Sequence, residues 1–142
     1  MNTYTYEEIF IGQEEKFSFE ITKQQMSMFR EITGDHNPLH TDIKYAKLKG
    51  YPNNVVYGML TASYLSALAG MYLPGKNSLI HEVELKFTKP CYPDSGKFTA
   101  VGICTDKQDL FNRITIKVRI KDQEDELVLR GIMKIGVTDD NG

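Results

Sequence analysis

Several features that mark specialised classes of protein are missing from this chain of 142 residues. Its 17 basic and 19 acidic residues nearly cancel, so no excess of positive charge indicates a nucleic-acid partner. The only cysteines, Cys91 and Cys104, are too few for a disulfide framework and form no CxxC pair. We expect both to be reduced and to serve as small apolar side chains.

The N-terminal residues MNTYTYEEIF lack the basic and then apolar pattern of a signal peptide, which favours a cytoplasmic location. Internal repeats, low-complexity tracts and linkers are also missing, and the length suits one domain over residues 1–142. Hydrophobic residues make up 41% of the chain and charged residues 25%, as in an ordinary globular protein. A chain of this size can bury a substantial core.

Residues 55–73 (VVYGMLTASYLSALAGMYL) carry no charged side chain and are about long enough to span a bilayer. However, the run contains Thr61, Ser63 and Ser66, and no charged flanks set an orientation in a membrane. A helix that is apolar all round can also be completely buried in a protein core. We therefore predict a long buried helix over this run, ended by Pro74-Gly75, and no membrane association.

The first half of the chain predicts a strand followed by short helices. Residues 16–21 (KFSFEI) alternate apolar and polar side chains, as strands do. Thr22 and Gln25 have the spacing of a capping box that begins a helix, and Gly34 suits a left-handed helix end. The apolar residues that would share one face of this helix are Met26, Phe29 and Ile32.

The segment 35–40 (DHNPLH) is predicted to be a turn or an irregular loop, because Pro38 lacks a backbone N–H and restrains Asn37 from helical angles. Asp42 can then cap a short helix that runs to Leu48.

The second half of the chain predicts four strands in succession, over residues 79–87, 98–104, 111–120 and 127–137. In the third of these strands apolar and polar side chains alternate, and the apolar ones are Ile114, Ile116, Val118 and Ile120. Residues 106–109 and 121–126 are predicted to be polar turns of antiparallel hairpins.

A long apolar helix beside an antiparallel sheet predicts the α+β class. More narrowly, it predicts a single hot-dog fold, in which a curved antiparallel sheet wraps round a long central helix. Such a sheet leaves edges and one end of the helix to be covered, so by analogy with this fold we expect a homodimer.

Asp35 and His40 are the candidate catalytic residues, because a carboxylate and an imidazole in one short loop can face one water molecule. One group can take a proton from the water while the other gives a proton to a substrate. A structural role is the alternative, since Asp after a helix end often bonds its own backbone and a loop His is usually a surface residue.

The start of the predicted long helix offers a candidate oxyanion hole at Gly58. The first N–H groups of a helix have no partner within it, and a glycine leaves room for a thioester carbonyl. Close packing of the helix against the sheet is the alternative reason for a glycine here. Ser66, about two helical turns further on, could orient the Asp35 carboxylate or bond back to the carbonyl of Ala62.

A metal site at Asp35, His36 and His40 is not predicted. The two histidines are four residues apart, but Pro38 interrupts the helix that this spacing would need, and no third ligand is evident. We expect no metal and no cofactor.

Residues 29–40 (FREITGDHNPLH) resemble the signature loop of the MaoC-like, (R)-specific enoyl-CoA hydratases, whose pattern is Asp, any residue, Asn-Pro, an apolar residue and His. The similarity covers most of the chain. Its other parts are residues 56–59 (VYGM), Ser66, residues 73–75 (LPG) and residues 87–90 (FTKP).

The resemblance implies a dimeric hot-dog enzyme that adds water reversibly and in syn fashion to a trans-2-enoyl-CoA, giving an (R)-3-hydroxyacyl-CoA. By this resemblance Asp35 and His40 would hold the water, and the Gly58 amide would polarise the thioester carbonyl. Ser66 would orient Asp35, and Asn37 would shape the loop or contact the ligand. The substrate would be a thioester of CoA or of acyl-carrier protein, with its pantetheine arm in a tunnel near the dimer interface.

One departure from the family pattern is Tyr57, where many of these hydratases carry His before Gly-Met. Tyrosine keeps a polar tip but does not titrate near neutrality, so we expect it to change the shape of the acyl pocket.

Two other functions remain open. A thioesterase of the same fold typically needs a carboxylate on the central helix, and residues 55–73 have none. A non-catalytic acyl-thioester-binding module would need neither Asp35 nor His40.

Overall fold

The computed structural model describes residues 1–139, which contain one five-stranded antiparallel sheet. The strands lie in the order β1-β3-β4-β5-β2, so β1 and β2 form the edges. Their bounds are β1 Glu14–Glu20, β2 Ser78–Phe87, β3 Lys97–Gln108, β4 Arg113–Lys121 and β5 Leu127–Val137. The predicted antiparallel sheet is thereby confirmed.

Four α-helices lie between β1 and β2. They are α1 Lys23–Thr33, α2 Pro38–Thr41, α3 Ile43–Leu48 and α4 Gly58–Ala67. A π-helical turn, Leu68–Tyr72, continues α4 and contacts β1 at one edge of the sheet, β2 at the other edge, and β3. A sheet that touches the same short turn with both of its edges must curve round it. This is the predicted hot-dog arrangement.

The core lies between α4 and the concave face of the sheet. Leu68 is fully buried and packs on β3 at Gly102, where a Cβ atom would lie 3.1 Å from the Leu68 Cδ2 atom. A larger residue at position 102 would therefore push the helix away from the sheet. The inward side chains of β4 are fully buried, as the alternation predicted, and they are Ile114, Ile116, Val118 and Ile120.

The signals at the ends of α1 are confirmed. The Thr22 hydroxyl accepts a hydrogen bond from the Gln25 N–H, and the Gln25 side chain accepts one from the Thr22 N–H. Gly34 ends the helix in the left-handed conformation with φ of 72°. One part of the prediction is wrong, because Ile32 is 81% exposed while Met26 is buried.

The predicted turns need one correction. Residues 106–108 continue β3, and the chain reverses over a 3₁₀ turn at Asp109–Phe111. Lys121 is the last residue of β4, not the first of the following turn. Because the β3–β4 ladder continues past a bulge after Cys104, the polar residues beyond the bulge are still paired with β4.

The prediction of one long, completely buried helix over residues 55–73 is also wrong in part. The helix begins at Gly58, and one of its sides is exposed in the single chain. That side carries Met59, Ser63 and Ser66, whose spacing places them on one face. Within residues 1–139 no helix combines the length and the apolar character needed to cross a membrane.

Candidate active site

A cleft of about 820 Å³ lies between the exposed side of α4 and the edge strand β2. Its walls are mostly apolar, with Leu65 and Ala62 from α4 and Val83, Leu85 and Phe87 from β2. The polar groups are few, and Asp35, His40 and Tyr57 gather near the N-terminal end of α4, while Ser63 and Ser66 lie further along the helix. Apolar walls with a few convergent polar groups are typical of sites for small organic ligands.

The structure brings five of the six predicted site residues to this cleft. They are Asp35, His40, Tyr57, Gly58 and Ser66. The sixth, Asn37, is not among the residues that line it. Its side chain instead accepts a hydrogen bond from the Leu39 N–H at 2.9 Å and so caps α2. Asn37 therefore shapes the loop, which is one of the two tasks expected of it.

The prediction that residues 35–40 are entirely non-helical is wrong. Pro38 is the first residue of α2, and His40 lies on that short helix. Proline is favoured at this position because the first N–H groups of a helix have no partner within it and its fixed φ suits the helix. The residue before it, Asn37, stays extended with ψ of 128°, as expected before proline.

Asp35 lies in the exposed segment between α1 and α2. One oxygen of its carboxylate accepts the Asn37 N–H at 3.0 Å, and its own N–H donates to the Thr33 hydroxyl at 3.2 Å. The turn role considered as the structural alternative is thus present. It occupies one lone pair of the carboxylate, which has further acceptor capacity for a water molecule.

His40 is half-buried, and its ring orientation is fixed from one side. The Nδ1 atom lies 2.6 Å from the Val55 carbonyl oxygen. Because a carbonyl can only accept, Nδ1 must carry the proton in this contact. In the neutral ring Nε2 is then the nitrogen with a free lone pair, which is the tautomer that can accept a proton from a ligand or water.

Tyr57 is the buried residue that precedes α4 and is only 2% exposed. Its hydroxyl donates to the backbone carbonyl of Asp35 at 2.7 Å. Its ring stacks on His40 with centroids 4.2 Å apart and contacts Phe29 at 4.9 Å. Burial raises the pKa of the Tyr57 phenol, and the Asp35 charge raises it further.

Gly58 is the first residue of α4, and no side chain among residues 1–139 caps this helix end. A Cβ atom at position 58 would lie 3.2 Å from the Phe87 ring, which is tighter than an ordinary contact. Gly58 therefore keeps open the approach to the start of the helix and also permits close packing of β2. The structure thus contains features that suit both of the roles considered for this glycine.

Ser66 lines the cleft about two turns beyond Gly58. The premise that its hydroxyl is buried is wrong for the single chain, where Ser66 is exposed. Within the described part of the chain its hydroxyl has no hydrogen-bond partner, whereas the neighbouring Ser63 hydroxyl donates to the Leu60 carbonyl at 2.6 Å. Ser66 is therefore free to meet a ligand or another side chain.

Two contributors to the site were not predicted as such. The Val55 carbonyl holds the His40 ring, and Phe29 supports Tyr57 from α1. A backbone carbonyl has no signature in the sequence. Phe29 had one, since its helix face was predicted to be apolar, but nothing in the spacing indicated which ring it would meet.

Comparisons with known proteins agree with this arrangement. The family model described as MaoC like domain matches residues 9–126. The (R)-specific enoyl-CoA hydratase of Aeromonas caviae is 34% identical over 82 residues, which are 58% of this chain and 61% of that enzyme. The (R)-specific enoyl-CoA hydratase of Rhodospirillum rubrum is 28% identical over 116 residues, which are 80% of this chain and 81% of that enzyme.

Solved structures give the same result. The unliganded R-hydratase of Pseudomonas aeruginosa superimposes with a TM-score of 0.88 at 25% identity, covering 96% of this chain and 86% of that one. The (R)-hydratase of Aeromonas caviae gives a TM-score of 0.86 at 29% identity, covering 91% and 97%. Because the family model covers most of the described residues and the fold matches throughout, this chain belongs to the MaoC-like domain family.

Proposed function

We propose that the chain is a hydro-lyase that hydrates trans-2-enoyl thioesters reversibly to (R)-3-hydroxyacyl thioesters. The observation that carries the proposal is that Asp35, His40 and Gly58 all line one apolar cleft. The named activity of the two hydratase relatives supports it. The substrate is an acyl-CoA or an acyl-carrier-protein thioester, whose acyl chain suits the apolar walls.

In the proposed mechanism Asp35 and His40 hold one water molecule. The water oxygen bonds to the β-carbon of the enoyl group, and electron density moves through the α-carbon to the thioester oxygen. The Gly58 N–H stabilises that developing enolate. The pair accepts one proton from the water and donates one to the α-carbon, so both groups return to their starting states. Ser66 and Asn37 support the pair, Ser66 by orienting Asp35 and Asn37 by capping α2.

Hydration of crotonyl-CoA by the purified chain tests the proposal. We expect the enoyl absorbance to fall, (R)-3-hydroxybutyryl-CoA to form on chiral analysis, and no free thiol to be released. Thiol release would support thioester hydrolysis instead, although α4 lacks the carboxylate typical of that reaction. If the chain bound enoyl thioesters but hydrated neither the CoA thioester nor the acyl-carrier-protein thioester, it would be a binding module and the proposal would be contradicted.

The chain is also proposed to form a homodimer over the side of β2 and α4 that borders the cleft. The edge strand β2 exposes half or more of Leu79, Val83 and Phe87, and the adjoining face of α4 exposes Met59. Apolar side chains on an unpaired edge strand need cover, and a second copy can supply it by pairing the same surface with itself.

We expect the chain to elute at twice its mass of 16.2 kDa. Val83→Glu should give monomers, because it places a charge in the apolar interface. Ser18→Glu is the matched control, since it adds the same charge to an exposed position of the opposite edge strand β1. Light scattering at micromolar concentration measures both. A monomeric wild-type chain would contradict the homodimer, and a Val83→Glu variant that stays dimeric would contradict the proposed interface. One domain over residues 1–142 and a cytoplasmic location stay predictions.

A further inference from the structure

Tyr57 touches both proposed catalytic residues, and it does so with different parts of its side chain. The hydroxyl donates to Asp35 at 2.7 Å and the ring stacks on His40 with centroids 4.2 Å apart. From the replacement of the more usual His we expected Tyr57 to change the shape of the acyl pocket. These contacts indicate a different task.

The hydroxyl contact acts on the backbone of Asp35 and leaves its carboxylate available. The other hydrogen bonds of Asp35 are local, to Thr33 and Asn37, and bridge two residues each. The bond from Tyr57 crosses 22 residues and ties this exposed segment to the start of α4. A phenol is protonated at neutral pH, and the raised pKa of Tyr57 takes it further from titration, so the hydroxyl remains a donor.

The ring contact acts on His40 together with a second bond from the same segment. The Val55 carbonyl accepts the Nδ1 proton of His40, and the Tyr57 ring lies against the imidazole face. Phe29 contacts Tyr57 in turn and restrains the phenol ring. Val55 and Tyr57, which lead into α4, therefore hold the imidazole by its edge and by its face, and Tyr57 also holds Asp35 by its carbonyl.

We propose that Tyr57 is a positioning residue that sets the separation between Asp35 and His40. The inference rests on the proposed hydratase function, but the contact it describes can be tested without it. A catalytic pair must share one water molecule, so an error of about 1 Å in their separation is costly to the rate. One buried side chain that contacts both residues restrains that separation directly.

The test removes only the hydroxyl, with Tyr57→Phe. We expect kcat for crotonyl-CoA hydration to fall by about three- to tenfold, what one ordinary hydrogen bond is worth, with KM unchanged. Tyr64→Phe is the matched control. It removes the hydroxyl of a tyrosine on α4 that also donates to a backbone carbonyl, that of Glu20 at 3.3 Å, and Tyr64 does not line the cleft.

A double-mutant cycle separates positioning from a general loss of stability. In an Asp35→Asn background, Tyr57→Phe should lower the residual rate by less than twofold, because the carboxylate that it positions has gone. The full three- to tenfold loss in that background would overturn the inference. So would an unchanged kcat in Tyr57→Phe, or an equal loss in Tyr64→Phe.

Hydrogen exchange of the backbone provides a measurement that does not depend on turnover. The Asn37 N–H bonds to the Asp35 carboxylate, so its exchange reports how firmly the segment is held. We expect faster exchange in Tyr57→Phe than in the wild type, and no change in Tyr64→Phe. If the wild type hydrated no enoyl thioester, the proposed function would fail. The exchange measurement would still show whether the Tyr57 hydroxyl holds the segment that contains Asp35. Unchanged exchange in Tyr57→Phe would overturn the inference.

Discussion

Asp35→Asn and His40→Gln should each lower kcat for crotonyl-CoA hydration by about 10²–10⁴-fold, the range that general acid–base assistance supplies. Asn keeps an oxygen that can accept the Asn37 N–H, so the turn at Asp35 is preserved while the proton acceptor is lost. Gln likewise keeps polar atoms in place of the imidazole but has no titratable nitrogen. Stopped-flow or steady-state loss of the enoyl absorbance measures both variants.

Two controls lie beside these residues. His36→Gln makes the same chemical change one residue after Asp35, at an exposed position that does not line the cleft. Asp42→Asn changes another carboxylate that accepts backbone N–H groups, here at the start of α3, and Asn is an equally good cap. Both should keep nearly full activity.

The pair should also act as a unit. The double variant Asp35→Asn with His40→Gln is expected to be about as slow as the slower single variant, because neither group alone can complete both proton transfers. Full activity in either single variant would remove the basis for placing the reaction at this end of α4. Multiplicative losses would show instead that each residue works independently of the other.

Local signals predicted the fold well, because they are decided by near neighbours. The Thr22 and Gln25 capping box, the left-handed Gly34 and the alternation along β4 depend on residues within a few positions, and each is present. The prediction that residues 35–40 are non-helical also rested on near neighbours, and it was wrong because α2 begins there. Proline was read as a residue that excludes a helix, whereas at the first position it begins one.

What the sequence could not supply is set by contacts across the chain. The bond from Tyr57 to Asp35 spans 22 residues, and the acceptor for His40 is a backbone carbonyl 15 residues away. Periodicity does not encode either. The same limit explains the exposed side of α4, since an apolar run predicts burial without saying whether the covering surface belongs to the same chain. The family resemblance indicated which residues to compare, and the structure showed how they touch.

Removal of the backbone N–H at position 58 should have an effect of similar size to the loss of a catalytic side chain. Gly58→Pro is expected to lower kcat for crotonyl-CoA by roughly 10²–10³-fold relative to Gly58→Ala, as loss of one oxyanion-hole donor does. Proline is tolerated at the first residue of a helix, so α4 should still form. Tyr57 already has φ of −53° and ψ of 122°, which suits a residue that precedes proline.

Gly58→Ala is the matched control because both variants add a Cβ atom 3.2 Å from the Phe87 ring, and only proline removes the N–H. The contact of the new Cβ atom with Phe87 is therefore common to both, and the difference between their rates reports the replacement of the N–H by the proline ring. Circular dichroism should show equal helix content in the two proteins. If Gly58→Pro were as fast as Gly58→Ala, the thioester oxygen would not depend on this amide, and enolate stabilisation would have to come from elsewhere in the cleft.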